Sequence, residues 1–126
     1  MVDESAGRER SNIVERTFDY SVRVVRLCGY LEKRKVPRSL VSQLLRSGTS
    51  EGANTTESQA GQSRADFLSK LFLALKECNE SVYWMRLIVA SDLVPESRIA
   101  KLRDEGKQIA RILGRIIIST KANTGK

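Results

Sequence analysis

Glu77 and Glu80, one helical turn apart in "KECNES", are the first residues whose types and spacing suggest chemistry. On a helix they would share a face and could hold a divalent cation. Di-metal sites in helical bundles, however, normally combine Glu with a Glu-x-x-His pair, and the 126-residue chain contains no His. Its absence removes the commonest general base and metal ligand, and with them every Ser/His or Cys/His arrangement. Asp104 and Glu105 are a second acidic pair in a helical pattern. For both pairs the plainer reading is a polar helix face. Cys28 and Cys78 lie far apart, without CxxC spacing, among apolar residues at helical intervals. They read as core thiols of a reducing compartment rather than as a disulfide. Gly48 and Gly52 lack the GxxxxGKS/T context of a phosphate-cradling loop. These residues predict a protein that is not an enzyme and that needs no cofactor or metal.

Charge is more informative. The chain carries 22 Lys and Arg against 15 Asp and Glu, a net +7. Such a balance favours anionic partners. The excess is uneven: residues 95–126 hold eight basic residues against three acidic ones. Arg103, Lys107, Arg111 and Arg115 recur every four residues, which on a helix makes one slowly drifting stripe. Lys33, Arg34 and Lys35 form a basic cluster, and if the first and last helices are neighbours this cluster, with Arg23 and Arg26, adds to the stripe. The stripe and cluster are the candidate phosphate contacts for RNA or DNA, with steep salt dependence and no sign of base-specific reading. A solvated basic face is the competing explanation.

The elements that must position these residues are helices. Only two prolines occur, and strand-like alternation is scarce. Ile13, Phe18, Tyr20, Val24, Leu27, Cys28 and Leu31 mark a helix over about 12–35, broken before Pro37. Leu40, Val41, Leu44 and Leu45 begin a second at about 37. Phe67, Leu68, Leu71, Leu75, Cys78, Val82, Met85, Ile88 and Val89 mark a third over about 63–91. Ser63 is its cap and Asp66 lies in its first turn. A fourth, over about 95–120, carries Ile99, Leu102, Ile109, Leu113, Ile116 and Ile117. Phe18, Tyr20, Phe67 and Phe72 are expected in the core, and Tyr83 and Trp84 in the core or at a subunit contact rather than exposed for stacking. Segments 1–10 and 121–126 are expected to be disordered, flanking a single domain at 11–120. "MVDESAGRERSN" has no apolar run and does not read as a signal peptide. No stretch is long enough to span a bilayer, so a cytoplasmic location is expected.

The stretch from Ser47 to Ser63, "SGTSEGANTTESQAGQS", contains no Leu, Ile, Val, Met or aromatic residue. A structureless loop of that length is improbable in a compact domain. Helix is therefore expected to continue to about 58, with a turn near Ala60 and Gly61. A helix containing two glycines gives up about 1 kcal/mol at each relative to Ala. Gly48 and Gly52 thus imply close backbone approach to another helix, either the third or one from a neighbouring subunit. The fold class is all-α: an antiparallel, up-down-up-down four-helix bundle.

"QLLRSGTSEGANTTES" followed by "SRADFLSKLFLALKECNESVYWMRLI" resembles the four-helix bundle family of proteins encoded in intervening sequences of bacterial 23S ribosomal RNA genes. The motif residues are Gln43, Ser50, Gly52, Ala53, Asn54 and Glu57, then Asp66-Phe67, Ala74, Leu75 and Glu77, and the pair Tyr83-Trp84. The resemblance implies a bundle that assembles into a ring, usually a homopentamer, with Gln43, Gly48, Ser50, Gly52, Ala53, Asn54 and Glu57 as motif and packing positions. It also implies a relative, the basic accessory protein of diversity-generating retroelements, which binds a reverse transcriptase. The expected function is a non-catalytic, ring-forming bundle that binds nucleic acid. The alternative is an adaptor for a reverse transcriptase. The sequence departs from the family pattern at Glu51 and Thr55, where members are usually apolar. Either Glu51 pairs with an arginine (Arg46 or a neighbouring subunit's), or this part of helix two faces solvent or a central channel.

Overall fold

The computed structural model describes residues 4–123, with side chains from residue 12 onward. Its elements are α1 (Glu4–Lys33), α2 (Arg38–Ser58), α3 (Arg64–Ala90), a 3₁₀ turn (Glu96–Arg98) and α4 (Ala100–Ala122). Helix α1 starts at Glu4 rather than near residue 12. Helix α2 runs unbroken through the stretch without large apolar residues and ends at Ser58, in agreement with the sequence reading. Ser63 caps α3, its hydroxyl accepting from the Asp66 amide at 3.1 Å. The fourth segment differs from expectation. Pro95 opens a single 3₁₀ turn, and the α-helix begins only at Ala100, after Ile99 (φ −120°) breaks the path. Of the tail, Lys121 and Ala122 belong to α4. Expectations for residues 1–3 and 124–126 fall outside the described residues.

Two helices stop without glycine. Lys35 and Asp92 adopt positive φ, 60° and 57°. After α1 the Val36 amide reaches back to the Leu31 carbonyl and the Lys35 amide to that of Glu32. After α3 Leu93 and Asp92 repeat the pattern on Ile88 and Val89. Both are Schellman closures, in which the next apolar residue folds back over the helix end. The turns send each helix back along its predecessor. Packing then runs α1 on α2, α2 on α3 and α3 on α4, with α4 closing on α1. The α2–α3 seam is the most extensive and α4–α1 the least.

The interior holds Ile13, Tyr20, Val24, Leu31, Leu44, Leu71, Met85, Ile88, Ile99, Ile109 and Leu113, all essentially inaccessible. Phe18 is 60 % exposed and Phe72 44 % exposed, so neither is the core residue that its spacing predicts. Phe18 lies at the edge of the stripe, two residues before Tyr20. At about 100° per residue the two point to different sides of α1.

The glycine pair packs against α1, not against α3 or another subunit. A methyl group at Gly48 would lie 2.6 Å from Val24 Cγ1. One at Gly52 would lie 2.6 Å from Ser21 Oγ and 3.0 Å from the Thr17 carbonyl. This approach buries the polar face of α2. Glu51 is completely inaccessible. Arg46 does not pair with it, and it faces neither solvent nor a channel. Its Oε2 accepts from the Ser21 hydroxyl at 2.7 Å, while Oε1 has no partner. Burial pushes the carboxyl from an ordinary 4.5 up to about 8, against the opposing effect of the Ser21 hydrogen bond.

Gly52→Ala should destabilise the bundle by about 1–3 kcal/mol in thermal or denaturant unfolding, because its clash is with backbone as well as side chain. Gly114→Ala, where an added methyl meets nothing within 4 Å, should instead stabilise by up to about 1 kcal/mol. Equal effects at buried and open sites would refute the close-packed seam. Glu51 also sets a pH dependence. Below about 4.5 its carboxyl is neutral folded and unfolded. Between about 4.5 and 8 only the unfolded chain ionises, so stability falls as pH rises, with a slope approaching ~1.4 kcal/mol per pH unit. Glu51→Gln should remove that slope and be more stable than the parent at pH 8, while matching it near pH 4.

Candidate nucleic-acid interface

The thin α1–α4 seam carries a groove. The last turns of α1 supply Arg23, Arg26, Leu27 and Tyr30, and the 3₁₀ turn with the start of α4 supplies Arg98, Lys101 and Leu102. Leu27 and Leu102 are core residues of their helices. The positions flanking them on each helix must therefore project to the groove's rims. The break at Ile99 turns Arg98 toward α1, and its guanidinium carbon sits 4.6 Å from the centre of the Tyr30 ring. Arg34 approaches the same ring at 5.1 Å. Among the described residues, none that lines the groove is acidic, and Arg23, Arg26, Arg98 and Lys101 form no ion pair.

Other cations are spent on structure. Arg16 grips Glu105 with two hydrogen bonds, 2.9 and 2.7 Å, tying α1 to α4. Arg46 bridges Glu77 at 2.8 Å and Glu80 at 2.5 Å, tying α2 to α3. Lys70 pairs with Glu57 at 3.4 Å. Arg103, the first residue of the expected stripe, is ion-paired with Glu96 and only 18 % exposed. Lys107, Arg111 and Arg115 are exposed on α4 as expected. They lie on the outer face of α4, roughly opposite its buried residues and off the flank that meets α1, which Arg98, Lys101 and Glu105 occupy. The 33–35 cluster is divided as well. Lys33 ends α1, Arg34 turns to Tyr30, and Lys35, in its left-handed conformation, lies on the α1–α2 side near Arg38.

The motif positions of α2 also separate. Gly48 and Gly52 face α1. Gln43, beside Arg46, and Ala53 are exposed, while Asn54, bonded to the Ser50 carbonyl at 2.9 Å, is half-buried on the flank.

Glu77 and Glu80 are joined through Arg46 rather than poised for a metal, and the hydrogen bond from Arg46 holds the Glu80 carboxyl below its ordinary range. Among the described residues no group of three His, Cys, Asp or Glu could hold a metal ion. Cys28 and Cys78 are free and buried. Burial pushes the Cys28 thiol up to about 11 and that of Cys78 higher still, which leaves both as inert thiols. No described helix is long and apolar enough to cross a membrane.

Sequence reasoning missed Arg98, Lys101 and Tyr30. Arg98 and Lys101 precede the four-residue stripe and are out of phase with it. The signal that could have found them was the pairing of the chain's first and last helices, which brings Arg23 and Arg26 to face them.

The family model described as "23S rRNA-intervening sequence protein" matches residues 9–115. The chain belongs to that family. It is similar to a protein of unknown function from the S23 ribosomal protein family of Bacteroides thetaiotaomicron VPI-5482, known from its crystal structure. The two share 34 % identity over 86 % of this chain and 97 % of that one, with a TM-score of 0.82. No curated protein matches the chain.

Proposed function

We propose that this chain is a non-catalytic, self-associating bundle that binds nucleic acid through phosphate contacts. The observation that carries the reading is the gathering of Arg23, Arg26, Arg98 and Lys101 in one groove without a carboxylate. Like charges held together repel, so an unneutralised cluster is costly in the free protein and suits a polyanion. Exposed Lys107 and Arg111 add positive charge on the outer face of α4.

Self-association has its own support. Phe18, Val22, Val25 and Gly29, spaced by four, three and four, make a second apolar stripe on α1 beside the one that enters the core. Phe18 and Val25 are 60 % and 51 % exposed, and Leu45 on the neighbouring α2 is 38 % exposed. Copies of a chain with net +7 repel one another, so their contact belongs on an uncharged face, and this is one. The family resemblance sets the expected assembly as a pentameric ring.

Binding to a fluorescent single strand should fall steeply with salt. Replacing Arg23, Arg26, Arg98 and Lys101 together by Gln should lower the log–log salt slope by about 3 and weaken binding at least about 100-fold at physiological salt, with unfolding unchanged. Unaltered binding would overturn the groove's role. In light scattering the parent should be oligomeric, and Val25→Glu should give monomers that remain helical. A parent that is already monomeric would end the assembly reading.

A further inference from the structure

We infer that the floor of the α1–α4 groove is a subsite for a single phosphate group, with the Tyr30 hydroxyl as its hydrogen-bond donor and Arg98 as its closing cation. The inference deepens the nucleic-acid reading and rests on it for the source of the phosphate. Its first support is an orphaned donor. Tyr30 Oη is buried and has no hydrogen-bond partner. The fully buried tyrosine, Tyr20, shows the usual solution, with its hydroxyl 2.7 Å from Ser81 Oγ. Leaving a phenol unsatisfied is unfavourable, and an acceptor delivered by a ligand would relieve it.

The second support is charge. Arg23, Arg26, Arg98 and Lys101 line the groove, and Arg34 lies against the tyrosine ring. Five cations exceed what a lone carboxylate could neutralise. A phosphate group presents several acceptor-only oxygens, matching donors that arrive from different directions, and in a strand it brings neighbouring phosphates to the remaining cations. The third support concerns what the groove does not read. The guanidiniums of Arg34 and Arg98 already lie against the Tyr30 ring, at 5.1 and 4.6 Å. The ring is not an open platform for stacking a base. A phosphate that draws the exposed Arg98 off the ring would meet the phenol beneath it. The other orphaned atom, Glu51 Oε1, belongs to a carboxyl that is completely inaccessible between α1 and α2.

Tyr30→Phe removes the hydroxyl and keeps the ring under both arginines. In fluorescence anisotropy with strands of about 12 nucleotides, it should weaken binding about 10-fold and leave the salt slope unchanged, since no charge is lost. Arg98→Gln should weaken binding and lower the slope by about one contact. Strands bearing a 5′-phosphate and strands bearing a 5′-hydroxyl separate the two sources. An effect on both assigns the subsite to an internal phosphodiester, and an effect confined to the first assigns it to a terminal phosphate. If Tyr30→Phe binds every strand as the parent does, the subsite is wrong, while the broader reading stands or falls on the four-residue variant. If the parent binds no strand at all, that reading fails, and inorganic pyrophosphate decides the subsite. A shift of the Tyr30 ring resonances that is lost in Arg98→Gln retains it; no shift removes it.

Discussion

The close approach of α2 to α1 at Gly48 and Gly52 constrains everything else in the bundle. With Val24 filling the place of a side chain at Gly48, and the Ser21 hydroxyl and Thr17 carbonyl that at Gly52, the two helices sit at a spacing that a single methyl group would disturb. That spacing fixes the rotation of α1. Val24, Ser21 and Thr17 are committed to α2, which leaves Tyr20 to cross the interior toward α3 and α4. There its hydroxyl meets Ser81, and its ring tip lies where a side chain at Gly106 would be. The thiol of Cys78 donates to the Gly106 carbonyl at 3.2 Å. Small residues thus set two of the seams, and the large apolar residues fill the space that remains.

The same contact explains how a helix without large apolar residues can be buried. Ser47, Thr55 and Ser58 return their hydroxyls to carbonyls of their own helix, at Gln43, Glu51 and Thr55. Satisfied in this way, each presents little but methylene or methyl to its neighbour. Glu51 cannot do so, and it is the one charged residue type in that row. It lies inside because it shares the face of α2 that Leu44, Gly48 and Thr55 turn to the interior.

Much of this architecture was legible in the sequence. The helical periods, the cap at Ser63 and the implication of Gly48 and Gly52 all follow from local rules. The partner of the glycines was not legible, because periodicity gives a face and not what lies against it. Phe18 and Phe72 were misplaced for a related reason: they border their stripes, and only the neighbouring helices decide which border is covered. The helix stops at Lys35 and Asp92 lack the glycine that usually announces such closures. The basic surface was half legible. The excess on the last helix is a property of composition. The groove, however, arises from residues about 75 positions apart in sequence, joined only when α4 closes on α1, and the arginines that became latches differ from the others only in having an acid across a seam.

The buried carboxyl also changes the protein's charge. Counting residues gives +7 at neutral pH, but a Glu51 that titrates near 8 keeps its proton in the folded state, so the native bundle is nearly one unit more positive than its sequence. Unfolding at pH 7 must hand that proton to the buffer. The apparent enthalpy of unfolding therefore includes the protonation heat of whichever buffer receives it, and two laboratories using phosphate and Tris would record different enthalpies for the same bundle.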